Sequence, residues 1–234
     1  MQFSGFQKLT LLDYPEKTAC TLFTAGCNFR CPFCHNAALV THIDNSNFFT
    51  EEYVLDYLKK RKGVLDGVCI TGGEPLMHKD LPEFIKKVKE LGYLVKLDTN
   101  GSYPERLENL IDSGLIDYVA MDIKNSKEKY LLTAECGEED LRNVEKSVEI
   151  LKQGKVDFEF RTTVVKEYHE IDDIKKIAEW ISGAKKYYIQ CFAESGELIG
   201  EGFRHTIKTP WKPFVKRLWS TFRRQKSVEF NMFC

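Results

Sequence analysis

No apolar run of 18 residues occurs anywhere in the 234-residue chain, so no segment reads as a membrane-spanning helix. The opening MQFSGFQKLTLLDYP lacks the apolar stretch of a secretory signal, so the chain is expected in the cytoplasm, away from membranes. Internal linkers, repeats and low-complexity tracts are missing too, and nothing divides the sequence into separate units. A local absence is equally informative. Residues 203–226 carry Arg204, Lys208, Lys212, Lys216, Arg217, Arg223, Arg224 and Lys226 and no acidic residue, although the whole chain has a net charge of −1. The remainder is therefore acidic, and the basic segment reads either as a docking surface or as an amphipathic helix closing the fold. Phe214, Val215, Leu218 and Phe222 stand at helical spacing for the second reading. With 43% hydrophobic residues the chain can bury a full core. The expected organisation is one domain over 1–202, with a basic C-terminal extension over 203–234 packed on or near it.

Only three of the eight cysteines are clustered: Cys27, Cys31 and Cys34, in the run CNFRCPFC. The spacing is C-x3-C-x2-C, and no fourth cysteine follows at a comparable interval. Four thiolates close a zinc site or an iron–sulfur cube. Three hold a 4Fe–4S cube by three corners and leave one iron open for chemistry. Zinc completed by His35 is the alternative, but ligands adjacent in sequence are sterically awkward for one tetrahedral ion. A disulfide framework is not expected of a chain this long in a reducing compartment, and a Cys191–Cys234 disulfide is improbable there. Cys20 and Cys69 fall within apolar strands and read as small buried hydrophobes.

Short apolar runs alternate with helix-period segments, the pattern of a parallel α/β sheet. Strands are expected over 19–24, 67–71, 94–99, 117–124, 157–165 and 186–192. Thr50, Asp80 and Pro104 open helices, and further helices run through Leu141–Leu151 and Ile171–Ile181. Every polar motif falls at the C-terminal end of a strand, where active sites of parallel α/β folds lie. Thr71-Gly72-Gly73-Glu74-Pro75 follows the second strand, as an ordinary turn or as a backbone cradle for a ligand. Asp98-Thr99-Asn100-Gly101 ends the third strand and Asp122-Ile123-Lys124 the fourth. Each has a plain reading, as a turn and as a surface ion pair. Arg161, in the fifth strand, reads as a buried ion-pair partner or as a ligand contact.

The cysteine run with the Gly-Gly-Glu-Pro turn resembles the radical S-adenosylmethionine enzymes, and the resemblance covers nearly the whole chain. It implies an incomplete (β/α)6 barrel, here with a C-terminal helical extension. It also implies a 4Fe–4S cluster on Cys27, Cys31 and Cys34, whose open iron chelates S-adenosylmethionine. Gly72, Gly73 and Glu74 would then contact the methionine amino group, and Phe33 would lie against the adenine. The Asp-Thr-Asn-Gly and Asp-Ile-Lys motifs, with the Cys34-His35-Asn36 run, are similar to those of glycyl-radical-enzyme activases. By that likeness Asp98, Thr99 and Asp122 flank the cofactor carboxylate and hold a monovalent cation, Lys124 answers the carboxylate or ribose, and Arg161 reaches the methionine or the incoming peptide.

The segments GFQKLTLLDYPEKTACTLFTAGCNFRCPFCHN and YYIQCFAESGELIGEGF narrow the resemblance to activases. The implied activity is cleavage of S-adenosylmethionine to a radical that takes a hydrogen from a glycine of a partner protein. Anaerobic ribonucleoside-triphosphate reductase is the expected partner, with pyruvate formate-lyase or another glycyl radical enzyme as the alternative. A small-molecule enzyme of the 7-carboxy-7-deazaguanine synthase kind is the reading from a different class. A flavodoxin or ferredoxin-type reductant is implied, and no nucleic acid.

Overall fold

The computed structural model describes residues 1–43, 45–193, 198–202 and 229–233. In chain order the elements are β1 (Gln2–Phe3), β2 (Gly5–Thr10), β3 (Ala19–Thr24), α1 (Ala37–Thr41), β4 (Phe49–Thr50), α2 (Glu51–Lys60) and β5 (Gly67–Gly72). They continue with α3 (Leu81–Glu90), β6 (Leu94–Thr99), α4 (Pro104–Asp112), β7 (Tyr118–Asp122), α5 (Lys127–Ala134) and α6 (Glu138–Lys152). The last are β8 (Asp157–Val164), α7 (Ile171–Trp180), β9 (Lys186–Cys191) and β10 (Glu229–Phe233). One eight-stranded sheet runs β10-β9-β8-β7-β6-β5-β3-β2, parallel throughout except for β2, which pairs antiparallel with β3. Among the described residues the sheet does not close, and the architecture is an incomplete barrel. β1 and β4 form a separate two-stranded antiparallel ribbon.

The central strands are buried on both faces because helices cover one side of the parallel sheet and the other side turns inward. Phe84 and Val88 of α3, Leu107 of α4, Val144 and Val148 of α6, and Ile174 and Ile177 of α7 join one core with Ile70, Leu97, Val119 and Phe160 from the strands. Thr50 caps α2 as expected, its hydroxyl accepting from the Tyr53 N–H at 3.2 Å. Asp80 stands at the start of α3 but makes no cap bond. Its carboxylate lies 3.3 Å from the N-terminal ammonium instead.

All six expected strands and the expected helices within the described residues are present. The structure adds what the sequence pattern hid: the edge strand β2, the short ribbon, α1, α5 and β10. The expected helical extension over 203–234 is corrected at its end, because residues 229–233 form β10, paired in parallel with β9. Helical periodicity stops at Phe222, and Glu229-Phe230-Asn231-Met232-Phe233 alternates polar and apolar as a strand does. The main sheet therefore takes its last strand from beyond residue 202. The helix and docking readings of the basic run over 203–226 lie outside the described residues. Among the described residues no helix is long and apolar enough to cross a membrane.

Candidate active site

Each motif loop leaves the C-terminal end of a strand, and together the loops wall one cavity of about 230 Å³. The cysteine loop follows β3 and is pinned from several sides. The Gly26 N–H donates to the Leu39 carbonyl at 2.8 Å, the Arg30 N–H to the Ala134 carbonyl at 3.1 Å, and the Glu74 N–H to the Gly26 carbonyl at 2.8 Å. Gly73 must be glycine because a Cβ there would stand 1.9 Å from the Gly26 carbonyl oxygen. Gly72 has φ +119°, and a Cβ on it would meet the Thr24 backbone nitrogen at 2.3 Å. The paired glycines thus let the loop after β5 press directly onto the cysteine loop. The Asn36 side chain locks the same junction by donating to the Gly72 carbonyl at 2.9 Å.

Cys27, Cys31 and Cys34 line the cavity together with Phe33, Gly72, Gly73, Asp98, Thr99, Asp122, Lys124 and Arg161. Glu74 is the exception among the expected contacts. It is fully buried and turned away from the cavity, accepting from the Leu76 N–H at 3.0 Å, the Thr99 hydroxyl at 2.8 Å and the Asn100 N–H at 2.7 Å. Burial still pushes its pKa up to about 7, the hydrogen bonds offsetting part of the desolvation. Phe33 lines the cavity while its ring tilts against Tyr168, with centroids 5.8 Å apart.

The donor set fits a three-cysteine cluster. Cys31 is buried, Cys27 and Cys34 are half-buried, and all three face the same space. Burial pushes the Cys27 thiol up to about 11 and Cys31 up to about 12, so these two thiols are protonated at neutral pH until iron displaces the protons. His35 is stacked on Phe192, with Nε2 2.9 Å from the Ala193 carbonyl oxygen. Among the described residues no three His, Cys, Asp or Glu groups converge at the spacing of a single metal ion. The zinc alternative therefore loses its fourth ligand. Thiolates that each bind a different iron of a cube stand farther apart than ligands of one ion. Cys69 and Cys20 are buried in strands as expected. Cys191 is disulfide-bonded, which corrects the expectation of a thiol there.

Opposite the cysteines stands a charged group that the sequence motifs only partly announced. Arg161 lies between the two aspartates. Its Nη1 donates to Asp98 Oδ2 at 3.1 Å and its Nε to Asp122 Oδ1 at 3.1 Å. Lys124 pairs with Asp122 Oδ2 at 2.9 Å, and Lys96 pairs with Asp98 Oδ1. A guanidinium thus stands between Asp98 and Asp122, where the resemblance implied a monovalent cation, and each of the four carboxylate oxygens has a cationic partner. Burial would raise both carboxylates, but Arg161 and the lysines hold them below the usual range. Lys124 and Arg161 remain charged against the desolvation that opposes it.

Residues that sequence reasoning missed include Asn100, Thr163 and Gln190 on the cavity wall, and Lys96 and Asn28 behind it. Asn100 Nδ2 lies 3.7 Å from Cys27 Sγ and 3.0 Å from Asn28 Oδ1. Only the position of Asn100 inside a recognised motif offered any signal for it.

Among the described residues, three thiols without a fourth, facing a charged wall at the C-terminal ends of parallel strands, define a centre for an iron–sulfur cluster with an open iron. The profile of the Radical SAM superfamily matches residues 21–181, and the chain belongs to that superfamily. Its members use a 4Fe–4S cluster and S-adenosylmethionine, and both groups suit the residues gathered here. The chain is 37% identical over 208 residues to a candidate glycyl-radical enzyme activating enzyme of Methanocaldococcus jannaschii, covering 86% of this chain and 83% of the relative. It is 29% identical over 171 residues to the 7-carboxy-7-deazaguanine synthase of the same organism, covering 68% of each. Among solved structures, Streptococcus suis SuiB bound to S-adenosylmethionine superposes with a TM-score of 0.73 at 13% identity, which establishes the likeness of fold. That superposition covers 90% of this chain and 49% of the other, so the chain spans about half that protein's length.

Proposed function

We propose that this radical S-adenosylmethionine enzyme is a glycyl-radical-enzyme activating enzyme, with anaerobic ribonucleoside-triphosphate reductase as its target. The observation that carries the proposal is the near full-length likeness to the Methanocaldococcus jannaschii relative, which leaves little of either chain unmatched. When bound, the cluster and S-adenosylmethionine supply a 5′-deoxyadenosyl radical that abstracts hydrogen. This chain's residues set the stage for that chemistry. Cys27, Cys31 and Cys34 hold the cluster against one wall of the cavity. Gly72 and Gly73 present backbone to the methionine end, at a place where no side chain could fit. Lys124 and Arg161 offer positive charge toward a carboxylate, while Asp98 and Asp122 fix those two cations in place. Phe33 offers an aromatic face on the cavity wall against which the adenine would lie. The sheet's unclosed edges suit a peptide strand better than a fully enclosed metabolite. A flavodoxin or ferredoxin-type protein is the fitting electron donor, in the cytoplasm.

The test is anaerobic incubation of cluster-loaded protein, reductant and S-adenosylmethionine with each candidate glycyl radical enzyme. A glycyl-radical EPR signal on one of them is the expected result, together with transfer of deuterium from its labelled glycine into 5′-deoxyadenosine. Absence of both with every such enzyme of the source organism would move the assignment to a small-molecule substrate. The 7-carboxy-7-deazaguanine synthase likeness names the class to try next.

A further inference from the structure

Lys96 is the one cation of the charged group that neither the motifs nor the cavity wall explains. It is 1% exposed, in the middle of β6, where a lysine is ordinarily excluded. Strand alternation places Lys96 and Asp98 on the same face, so the ammonium rises along the strand to Asp98 Oδ1 from the side away from the cavity. Cys69 on the neighbouring β5 is its other contact, with Sγ 3.9 Å from Nζ. Lys124 and Arg161 line the cavity and can be drawn toward a ligand, whereas Lys96 does not line it. Burying a lysine costs several kcal/mol unless it is paired, so a chain without use for the charge would carry an apolar residue here.

The geometry points to Lys96 as a built-in counter-ion, a tethered substitute for a free monovalent cation at the Asp98 side of the cofactor pocket. Two carboxylates facing the carboxylate of S-adenosylmethionine repel it unless nearby positive charge offsets them. A free sodium or potassium ion would need oxygens of Asp98 and Asp122 as ligands. Here Lys96 and Arg161 hold both oxygens of Asp98, and Arg161 and Lys124 hold both of Asp122. Burial would lower the Lys96 pKa, but the attraction of Asp98 and Cys69 more than restores it, so the ammonium stays charged. Lys96 is thus a positioning residue. It offsets part of the Asp98 charge, so that Arg161 does not have to balance both aspartates alone. The inference concerns cofactor binding and holds whatever substrate the radical meets.

The experiment measures S-adenosylmethionine affinity of the cluster-loaded protein by calorimetry, at one ionic strength, in potassium, sodium or N-methylglucamine chloride. Wild-type affinity should agree within about twofold across the three salts. Lys96→Ala should bind about tenfold or more weakly in N-methylglucamine and recover in potassium or sodium, as the small ion fills the vacated place. Asp98 keeps Arg161 in that variant, so folding, checked by circular dichroism, is expected to survive. Wild-type binding that collapses without sodium or potassium overturns the inference, and this arm needs no variant. Weak binding by Lys96→Ala in all three salts also overturns it, because it reduces Lys96 to a packing role.

Discussion

The Glu74 carboxylate accepts a hydrogen bond from the backbone N–H of Asn100 at 2.7 Å, which ties the loop after β5 to the loop after β6. The Thr99 hydroxyl donates to the same carboxylate at 2.8 Å. Two walls of the cofactor cavity are thereby joined by a group that does not touch the cavity. Sequence reasoning placed Glu74 among the cofactor contacts, whereas the structure makes it the clamp that aligns them.

A pH signature follows from that burial. Glu74 has a pKa of about 7 in the folded chain, against 4.5 ordinarily, so between those values the folded state binds the extra proton. Stability from this group is complete below about pH 4.5 and is lost as pH rises through about 7, a change on the order of 3 kcal/mol. Glu74→Gln should flatten the slope of thermal stability between pH 5 and 8. It should also cost about 1–3 kcal/mol at pH 5, because an amide NH2 must face one of the N–H donors. Thermal melts across that range decide the matter, and identical slopes for the two proteins would contradict the raised pKa.

The paired glycines offer a steric test. Gly73→Ala puts a Cβ 1.9 Å from the Gly26 carbonyl oxygen, and backbone cannot retreat there without displacing the cysteine loop. Gly154→Ala, at φ +73° with nothing within 4 Å, carries only the conformational strain. Urea denaturation should show a loss of about 1 kcal/mol for Gly154→Ala and more than about 3 for Gly73→Ala. Comparable losses at the two positions would show that the loops do not press together as described.

Most of this arrangement was legible in the sequence, for a physical reason. Parallel strands buried on both faces must be apolar runs, and helices packed on them must show a 3.6-residue period, so 67–72, 94–99 and 171–180 announced themselves. β2 did not, because three of its central residues, Gln7 to Leu9, are exposed and carry no alternation. α5 did not, because KEKYLLTA spreads its apolar residues around the helix. At the site, the cysteines were readable from their spacing, and the glycine pair from its resemblance to a family motif at the end of a strand. Lys96 was not: a lysine in a strand reads as solvated, and only the sheet register reveals that it lies beneath Asp98.

Arg161 allows the electrostatic group to be tested apart from the cluster. Its fork spans Asp98 Oδ2 and Asp122 Oδ1, both at 3.1 Å, a reach that a single ammonium cannot reproduce. Arg161→Lys should keep the fold and the cluster absorbance but weaken S-adenosylmethionine binding about tenfold or more. Arg161→Leu should in addition lose about 3–5 kcal/mol of stability, because two buried carboxylates lose their shared partner. Calorimetric affinity and urea melts separate the two effects. Unchanged cofactor affinity in Arg161→Lys would assign Arg161 to structure alone.

The cluster itself has the sharpest requirement. Cys27, Cys31 and Cys34 face one cavity, while Cys69 is sealed beneath it and Cys136 lies off its wall. An iron–sulfur cube held at three corners cannot recruit either of those thiols without moving a strand or a helix end. Anaerobically reconstituted protein should therefore bind about four irons and four sulfides. Replacing any of the three cavity cysteines by Ala should abolish the visible absorbance of the cluster and the cleavage of S-adenosylmethionine. Cys136→Ala should preserve both, and Cys69→Ala should preserve the cluster at a stability cost of about 1–2 kcal/mol for the small void it leaves. Iron content, absorbance and 5′-deoxyadenosine yield on the same preparations check each part. Loss of the cluster in Cys136→Ala would mean that a fourth thiol closes the coordination. The open iron, on which the whole assignment turns, would then not exist.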